Sequence, residues 1–361
     1  MRIVLLFLLL SSVAYAQTAT DNAKLTALYE TDRNWVNARP IDQKAAHDRH
    51  AQVRSLLDNG QVVTATDFYH AAAILQSNFD ADEALLSHVL ASIAVAKGNQ
   101  KARWISATML DHYLLSIWEP QLYGTRFQSS DEGIGTGRFR MLPGIVSDSM
   151  RATMCVAPLS GPGAVDPVGA KVSDDEVTRI ACPAASSAQK DNPRIKELAD
   201  QDQADRDDSK GPIDWSKVAL RDQARQKEAR HMLDVGEILT DTDYANAGIL
   251  FQHGQKPEDY LLAHVLAMGA SVRGNVDARW LFAATLDRFL NSISRPQIFG
   301  TQFEFDPTVL HSEITPNKQD ANLLSDTVRA GMCIVPLASL AKLPSEMKAG
   351  KPVSSQLDPC P

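Results

Sequence analysis

His264, Asp287 and Gln297 are the residues of this sequence whose types could carry out acid–base chemistry. An imidazole that is oriented by a carboxylate acts as a general base in many enzymes. His264 lies ten residues before Gly274, where a helix is expected to stop, and Asp287 lies thirteen residues after it. On two antiparallel helices these positions have similar heights, so we predict a hydrogen bond between His264 and Asp287. A hydrolase-type enzyme is therefore one hypothesis for the function.

The same residues also have a structural interpretation. A histidine and an aspartate at a helix–helix contact are commonly a buried pair that fixes the register of the helices. A catalytic set has to converge on an open cleft, whereas a structural pair lies in a filled core. The sequence has no Gly-x-Ser-x-Gly elbow, no His-Glu-x-x-His helix and no phosphate loop. No motif therefore assigns a reaction to these residues.

Helices have to position these residues, and their pattern is clearest towards the C-terminus. We expect helices from Asp214 to Val235, Asp241 to Gln252, Pro257 to Gly274 and Val276 to Ile293. Apolar residues recur at helical spacing, and the turn at Gly274 joins the last two helices into an αα-hairpin. A similar hairpin is expected over residues 82–118. The predicted fold class is all-α, with a short strand as an option after Phe127 or Phe303.

An internal repeat organises the chain. Residues 55–127 align without a gap on residues 231–303, so equivalent positions are 176 residues apart. Pro-Gln and Gly-Thr dipeptides coincide in this alignment. We therefore predict two tandem homologous helical domains, residues 17–190 (the first half) and residues 191–361 (the second half). The boundary lies near the polar run 186–210, which is interpreted as a linker or as the first solvated helix of the second half.

Five residues are candidates for ligand binding: Gln252, His253, Arg279, Thr301 and Gln302. The two halves differ in a way that favours the second half as the functional one. It has His253, Arg288 and Gln302 where the first half has Ser77, His112 and Arg126. Drift after duplication is the alternative explanation of this difference.

The segment Gln297 to Thr301, just after the last helix of the hairpin, is the remaining polar feature. Gly300 is expected to adopt a left-handed turn, which glycine does without a steric penalty. Gln297 is expected to cap the exposed carbonyl groups of the preceding helix. A ligand-binding loop is the functional alternative for the same segment.

A metal site is not expected. His253 and His264 are eleven residues apart and would share a face only on an unbroken helix. Gly254 and Pro257 interrupt that helix. The sequence therefore predicts neither a metal nor another cofactor.

The four cysteines support the repeat. Cys155 and Cys182 are 27 residues apart, and so are Cys333 and Cys360. Four cysteines allow three pairings, and a duplicated domain would carry its own bridge. We predict disulfides Cys155–Cys182 and Cys333–Cys360, each pinning the C-terminal tail of one domain. Zinc-bound pairs or a reactive dithiol fit less well, because no Cys-x-x-Cys spacing is present.

The N-terminus has the pattern of a secretion signal. Arg2 precedes the short apolar run Ile3 to Leu10, and Ala14-Tyr15-Ala16 has the form of a cleavage site. We therefore interpret residues 1–16 as a signal peptide and expect no transmembrane segment after its removal. The expected location is the periplasm or the extracellular medium, where disulfides persist.

Several short motifs resemble those of a bacterial protein family of unknown function. They are Asp243-Tyr244, Gln252-His253-Gly254, Ala263-His264, Ala278-Arg279-Trp280-Leu281, Asp287-Arg288 and Gly300-Thr301-Gln302. The second half follows the pattern more fully than the first, in which Ser77-Asn78 follows Gln76. The resemblance supports the domain assignment and implies no activity.

Composition and architecture limit the range of possible functions. The formal net charge is −8, and an acidic surface disfavours nucleic acid as a partner. The leading hypothesis is an exported helical binding protein whose partner is another protein or component of the cell envelope. The alternatives are the hydrolase-type enzyme and an immunity or inhibitor protein for an exported toxin.

Overall fold

A computed structural model of the chain describes residues 19–36, 43–76, 80–129, 135–162, 164, 178–183, 189–207, 211–304 and 315–348. The prediction of a mainly helical chain is confirmed. The first half contains α1 (Ala23–Val36), α2 (Gln43–Asp58), α3 (Ala65–Leu75), α4 (Ala81–Ala96), α5 (Arg103–Ser116), β1 (Phe127–Ser129), β2 (Gly135–Arg138) and α6 (Asp148–Thr153). A single 3₁₀ turn, Gln100–Ala102, precedes α5.

The second half begins with a run of five long helices. They are α7 (Pro193–Ala204), α8 (Trp215–Asp234), α9 (Asp241–Phe251), α10 (Pro257–Val272) and α11 (Ala278–Ser292). Short elements follow: β3 (Phe303–Glu304), β4 (Thr315–Pro316), α12 (Asp326–Gly331), α13 (Leu337–Leu340) and α14 (Leu343–Lys348). The strands form two antiparallel pairs, β1 with β2 and β3 with β4.

Local sequence explains where the helices begin. Thr64 and Thr240 are N-cap residues, and each forms a capping box with the aspartate three positions later, Asp67 or Asp243. The reciprocal hydrogen bonds satisfy N–H groups that have no partner within the first turn. Pro257 occupies the first turn of α10, where a missing N–H costs nothing. The helix starts are therefore encoded locally.

Two antiparallel helix pairs form the centre of the molecule. α4 packs along α5, and α10 packs along α11. The turn of the second pair passes through Gly274, whose φ of 102° lies in the left-handed region. α3 packs on α4 and α9 packs on α10, so each pair is extended by a third helix.

The two halves share one hydrophobic core. α4 contacts α10 directly, and the buried apolar residues form a single cluster with members such as Val89 from α4 and Val265 from α10. Hydrogen bonds also cross between the halves, for example from Arg279 Nη2 to the carbonyl oxygen of Ala96 at 2.9 Å. Burial of apolar surface at this contact holds the halves together.

A disulfide closes the first half. Cys155 is bonded to Cys182, as predicted from the spacing. Cys333 is disulfide-bonded as well, and its predicted partner Cys360 lies outside the described residues. Disulfides of this kind are compatible with an oxidising compartment.

Residues 1–16, the predicted signal peptide, also lie outside the described residues. Among the residues that are described, no helix combines the length and the apolar character needed to cross a bilayer. The predicted strand option after Phe127 and Phe303 corresponds to β1 and β3.

Candidate functional site

His264 and Asp287 do not form the predicted hydrogen bond. His264 Nδ1 lies 3.1 Å from the carbonyl oxygen of Phe282, and its Nε2 lies 3.0 Å from Nε2 of His88. Asp287 instead contacts the segment that follows α11. The prediction was wrong because equal height on two helices of a hairpin does not determine the direction in which their side chains point. His264 contacts α4 of the other half, and Asp287 contacts the loop that follows its own helix.

The carboxylate of Asp287 anchors a loop. It accepts hydrogen bonds from the backbone N–H groups of Ile298, Phe299 and Thr301 at 2.8, 3.0 and 2.9 Å, and from the Thr301 hydroxyl at 2.8 Å. Burial raises the pKa of Asp287, and these hydrogen bonds oppose the rise. Both oxygens are occupied by the loop, so Asp287 cannot orient a histidine.

Gln297 also belongs to this loop. Its Nε2 donates to the carbonyl oxygens of Gln302 and Asn317 at 3.0 and 3.1 Å, and its Oε1 accepts from the Gln302 N–H at 2.9 Å. The predicted cap on α11 was therefore wrong, because the amide clamps two loop segments together. The predicted left-handed conformation of Gly300 is confirmed by its φ of 81°.

The first half contains the same arrangement. Asp111 accepts hydrogen bonds from Leu122, Tyr123 and Thr125, and Gln121 bonds the carbonyl oxygens of Arg126 and Phe139. Two such loops with the same contacts indicate a framework role, because each contact satisfies a buried polar group.

The three catalytic candidates do not meet the criterion of an open cleft. His264, Asp287 and Gln297 are each 0% exposed. A substrate cannot reach side chains that are completely enclosed by protein. The hydrolase hypothesis built on these three residues therefore lacks a site.

Most of the predicted binding residues are engaged in the framework as well. Gln302 Nε2 donates to the Ala284 carbonyl oxygen and the Thr301 hydroxyl. Arg279 donates to Ala96 in the contact between the halves. Gln252 is buried, and its carbonyl oxygen accepts a hydrogen bond from Arg288 Nη1 at 2.6 Å. His253 is the predicted binding residue that borders an open cavity.

We call this space the His253 cavity. It has a volume of about 440 Å³ and lies where the end of α7, the start of α8, the end of α9 and the middle of α11 come together. Its lining includes Arg206, Trp215, Asp222, His253, Gln255 and Arg288. Small-molecule sites are commonly clefts of a few hundred Å³ with a few convergent polar groups.

His253 is oriented by a buried carboxylate. Its Nδ1 lies 2.9 Å from Oδ2 of Asp202, whose side chain is 1% exposed. Burial lowers the pKa of His253, and the hydrogen bond to Asp202 opposes this shift. The neutral imidazole therefore donates from Nδ1 to the carboxylate, which leaves Nε2 as a hydrogen-bond acceptor.

A network of ion pairs forms one wall of the cavity. Arg206 contacts Asp222 at 2.6 Å and Asp202 at 2.9 Å. Arg225 contacts Asp222 at 2.5 Å behind them. The carboxylates lower their free energy by accepting these charge-assisted hydrogen bonds, and burial lowers the screening by water. This wall is electrostatically satisfied without a ligand.

Arg288 is different from the arginines of this wall. Its Nη1 donates to a backbone carbonyl oxygen, its Nε is buried without a hydrogen-bond partner, and it forms no ion pair within the described part of the chain. Burial lowers the pKa of Arg288, but an arginine stays protonated in proteins. An unpaired positive charge therefore borders the cavity, and an anion would stabilise it.

A second depression lies between the two halves. It has a volume of about 220 Å³, and Arg103, Thr153, Tyr244 and Arg273 contribute to its lining. Arg273 donates to the carbonyl oxygens of Leu239 and Gly269 and to the Thr153 hydroxyl, so each of its three nitrogens already has a partner. This depression is a weaker candidate for ligand binding.

Sequence reasoning missed most of the His253 cavity. Asp202 and Arg206 lie in the polar run that was interpreted as a linker or a solvated helix. Their spacing of four residues was a usable signal for an ion pair, which the structure contains where Arg206 follows the end of α7. Among the described residues, no group of three or more His, Cys, Asp or Glu side chains could hold a metal ion.

Comparison of this chain with protein-family models, with curated proteins and with solved structures finds no match. The family resemblance seen in the sequence motifs stays a prediction. The geometry of the site is therefore the basis for a function.

Proposed function

We propose that this chain is an exported binding protein that takes up a small anionic ligand in the His253 cavity. The observation that carries the proposal is Arg288, a part-buried guanidinium that borders an open cavity, whose Nε is buried without a hydrogen-bond partner and which has no ion-pair partner among the described residues. Burying an unpaired charge is unfavourable, and a bound anion would remove that cost through a charge-assisted hydrogen bond.

Other lining groups refine the chemistry of the ligand. The half-exposed indole of Trp215 offers an apolar face at the cavity. His253 Nε2 offers an acceptor for a hydroxyl or amino group of the ligand. We therefore propose a small carboxylate with a ring or apolar part.

The two halves then have different roles. We propose that they arose by duplication, that residues 17–190 now support the structure, and that residues 191–361 bind the ligand. The equivalent loops around Asp111 and Asp287 support a common origin. We also propose export through the signal peptide at residues 1–16, which the disulfide Cys155–Cys182 supports.

Calorimetric titration of the mature chain tests the ligand proposal. Benzoate and benzamide have the same ring, and only benzoate carries a charge. We expect benzoate to bind, benzamide to bind at least about tenfold more weakly, and R288L to lose benzoate binding. R221L is the matched control, because it removes the same charge at a residue of α8 that is paired with Asp205 outside the cavity. Equal binding of both probes, or full binding by R288L, would contradict the proposal.

A second function is favoured by one observation in the same cavity. The pair of Asp202 and His253 has the geometry of a carboxylate-oriented general base. The enzyme hypothesis therefore moves from His264 and Asp287 to His253 and Asp202. Under this alternative, H253Q keeps benzoate binding but removes any hydrolysis of ester analogues such as methyl benzoate. Absence of hydrolysis by the wild-type chain would argue against it.

A further inference from the structure

Two histidines meet at the centre of the contact between the halves. His88 on α4 and His264 on α10 are each 0% exposed, and their Nε2 atoms are 3.0 Å apart. This distance is that of a hydrogen bond between two nitrogens. One of the two Nε2 atoms must therefore carry a proton for the contact to be favourable.

The hydrogen-bond partners of the two Nδ1 atoms determine whether these atoms carry a proton. His88 Nδ1 lies 2.8 Å from the carbonyl oxygen of Ser106, and His264 Nδ1 lies 3.1 Å from that of Phe282. A carbonyl oxygen only accepts hydrogen bonds, so each Nδ1 has to be the donor. Each imidazole then needs its proton at Nδ1.

Two neutral imidazoles cannot satisfy all three contacts. A neutral ring has one N–H, so two rings with protonated Nδ1 atoms would place two Nε2 lone pairs against each other. Moving one proton to Nε2 repairs that contact but turns the Nδ1 lone pair of the same ring towards a carbonyl oxygen at 2.8 or 3.1 Å. The nearest hydroxyls, those of Ser106 and Thr285, lie farther from these Nδ1 atoms, at 3.5 Å. A neutral pair therefore keeps one unfavourable close contact in a fully buried site, which costs free energy.

A single additional proton satisfies the whole arrangement. Both Nδ1 atoms then donate to carbonyl oxygens, and one Nε2–H donates to the other Nε2 atom. A tetrahedral metal ion with bonds of about 2.0 Å would place two nitrogens about 3.3 Å apart and would need further ligands. No group of three or more His, Cys, Asp or Glu side chains that could hold a metal is present among the described residues. We propose that His88 and His264 bind one proton jointly, so that the contact between α4 and α10 is a proton-binding site.

The groups around the two histidines determine the pH at which the pair binds its proton. From the helices packed against the rings, the facing polar groups are hydroxyls: Ser92, Ser106 and Thr285. The ring of Phe282 covers both imidazoles. No carboxylate of the described residues contacts either imidazole to compensate the charge. Burial lowers the pKa of both histidines, for His88 to about 4, so the proton is taken up on acidification.

The consequence is that the stability of the contact between α4 and α10 depends on pH. The first proton removes the repulsive contact between the rings of the folded chain. Because burial lowers the pKa of both histidines, the unfolded chain takes up its protons at higher pH, so acidification lowers the net stability of the contact between α4 and α10. A second proton would place two positive charges about 3 Å apart without a counter-charge, and their repulsion would separate α4 from α10. The pair is separate from the His253 cavity, whose lining contains neither His88 nor His264.

Nitrogen NMR of the full chain labelled with ¹⁵N-histidine tests the shared proton, because ring shifts report the protonation of each nitrogen. In the wild-type chain we expect the pair to gain one proton in total before the protein unfolds. In H88F, we expect the pKa of His264 to fall by about one unit or more, because its Nε2 has lost its hydrogen-bond partner.

Ordinary repulsion between two bases predicts the opposite sign, since removal of His88 would then raise the pKa of His264. A rise in H88F would therefore overturn the proposal, as would independent uptake of two protons by the wild-type chain. H88L is the second variant if H88F does not fold. Its side chain offers no acceptor to a protonated His264 Nε2, so the pKa of His264 should again be lower than that of the wild-type pair.

Discussion

Asp287 accepts two hydrogen bonds from Thr301, one from its backbone N–H at 2.9 Å and one from its hydroxyl at 2.8 Å. Asp111 and Thr125 repeat this relationship at 2.9 and 2.8 Å. The aspartate that was predicted to orient a base instead holds a loop, and it does so in both halves. This arrangement makes the loop a part of the core and leads to the first prediction.

Replacing the carboxylate of Asp287 by an amide should destabilise the protein. D287N places N–H groups opposite backbone donors, so at least about 2 kcal/mol of unfolding free energy should be lost. D111N should lose a similar amount. The milder variant T301V removes only the hydroxyl and should lose about 1 kcal/mol. Urea unfolding measures all three, and a loss by D287N no larger than that of T301V would contradict the assigned role.

Arg103 and Arg279 occupy equivalent positions and should differ in their contribution to stability. Arg103 donates to Gln100 Oε1 at 2.5 Å and to the Pro183 carbonyl oxygen at 3.1 Å. The Nε and Nη1 atoms of Arg279 are buried without partners in the described part of the chain.

We therefore expect R103L to lose about 2 kcal/mol of unfolding free energy and R279L less than about half of that. The two variants are matched controls for each other, since they make the same change on equivalent helices. Thermal and urea unfolding measure the difference. Equal losses would show that the unpartnered donors of Arg279 carry no cost.

His112 should make the protein less stable in acid. Burial, together with the neighbouring Arg126, whose Nη2 donates to His112 Nδ1 at 3.0 Å, lowers the pKa of His112 to about 4. The folded pKa lies below the unfolded value of about 6.5, so the unfolded chain takes up a proton that the folded chain refuses. The contribution of His112 to the unfolding free energy is constant above about pH 7.5 and falls as the pH decreases from 6.5 towards 4.

At pH 5 this effect should amount to roughly 2 kcal/mol for His112 alone. H112Q keeps an acceptor for Arg126 but does not titrate, so its unfolding free energy should fall less between pH 7.5 and pH 5. Urea midpoints of both proteins at three pH values give the comparison. Parallel pH curves would mean that His112 is accessible to protons in the folded state.

The disulfide of the first half should contribute substantially to stability. Closing the 27-residue separation between Cys155 and Cys182 lowers the entropy of the unfolded chain and is worth about 3.5 kcal/mol in the chain-entropy model. C155A/C182A should lose an amount of this size in urea unfolding.

If Cys333 pairs with Cys360, C333A/C360A should lose a similar amount, since the loop length is the same. Peptide mapping without reduction identifies the pairs independently of stability. A peptide that joins Cys155 or Cys182 to Cys333 or Cys360 would refute the prediction of one bridge in each half.

The sequence by itself determined the four helices between Asp214 and Ile293, the hairpin over residues 82–118 and the first disulfide. The turn at Gly274, the first-turn position of Pro257 and the capping box of Thr240 and Asp243 are local signals, and the helices begin and end beside them. The equal cysteine spacing selected Cys155–Cys182 in the same way, because a repeat restricts the possible pairings.

Only the tertiary structure decided which polar groups meet. Helical periodicity tells which residues share a face, but the partner of that face depends on helices far away in the chain. His264 therefore meets His88, from which 176 residues separate it, and not Asp287 on the neighbouring helix. Asp202 and His253 are 51 residues apart and form a pair only because α7 packs on α9. The physical reason is that packing of whole helices, and not local propensity, determines the direction of each buried side chain.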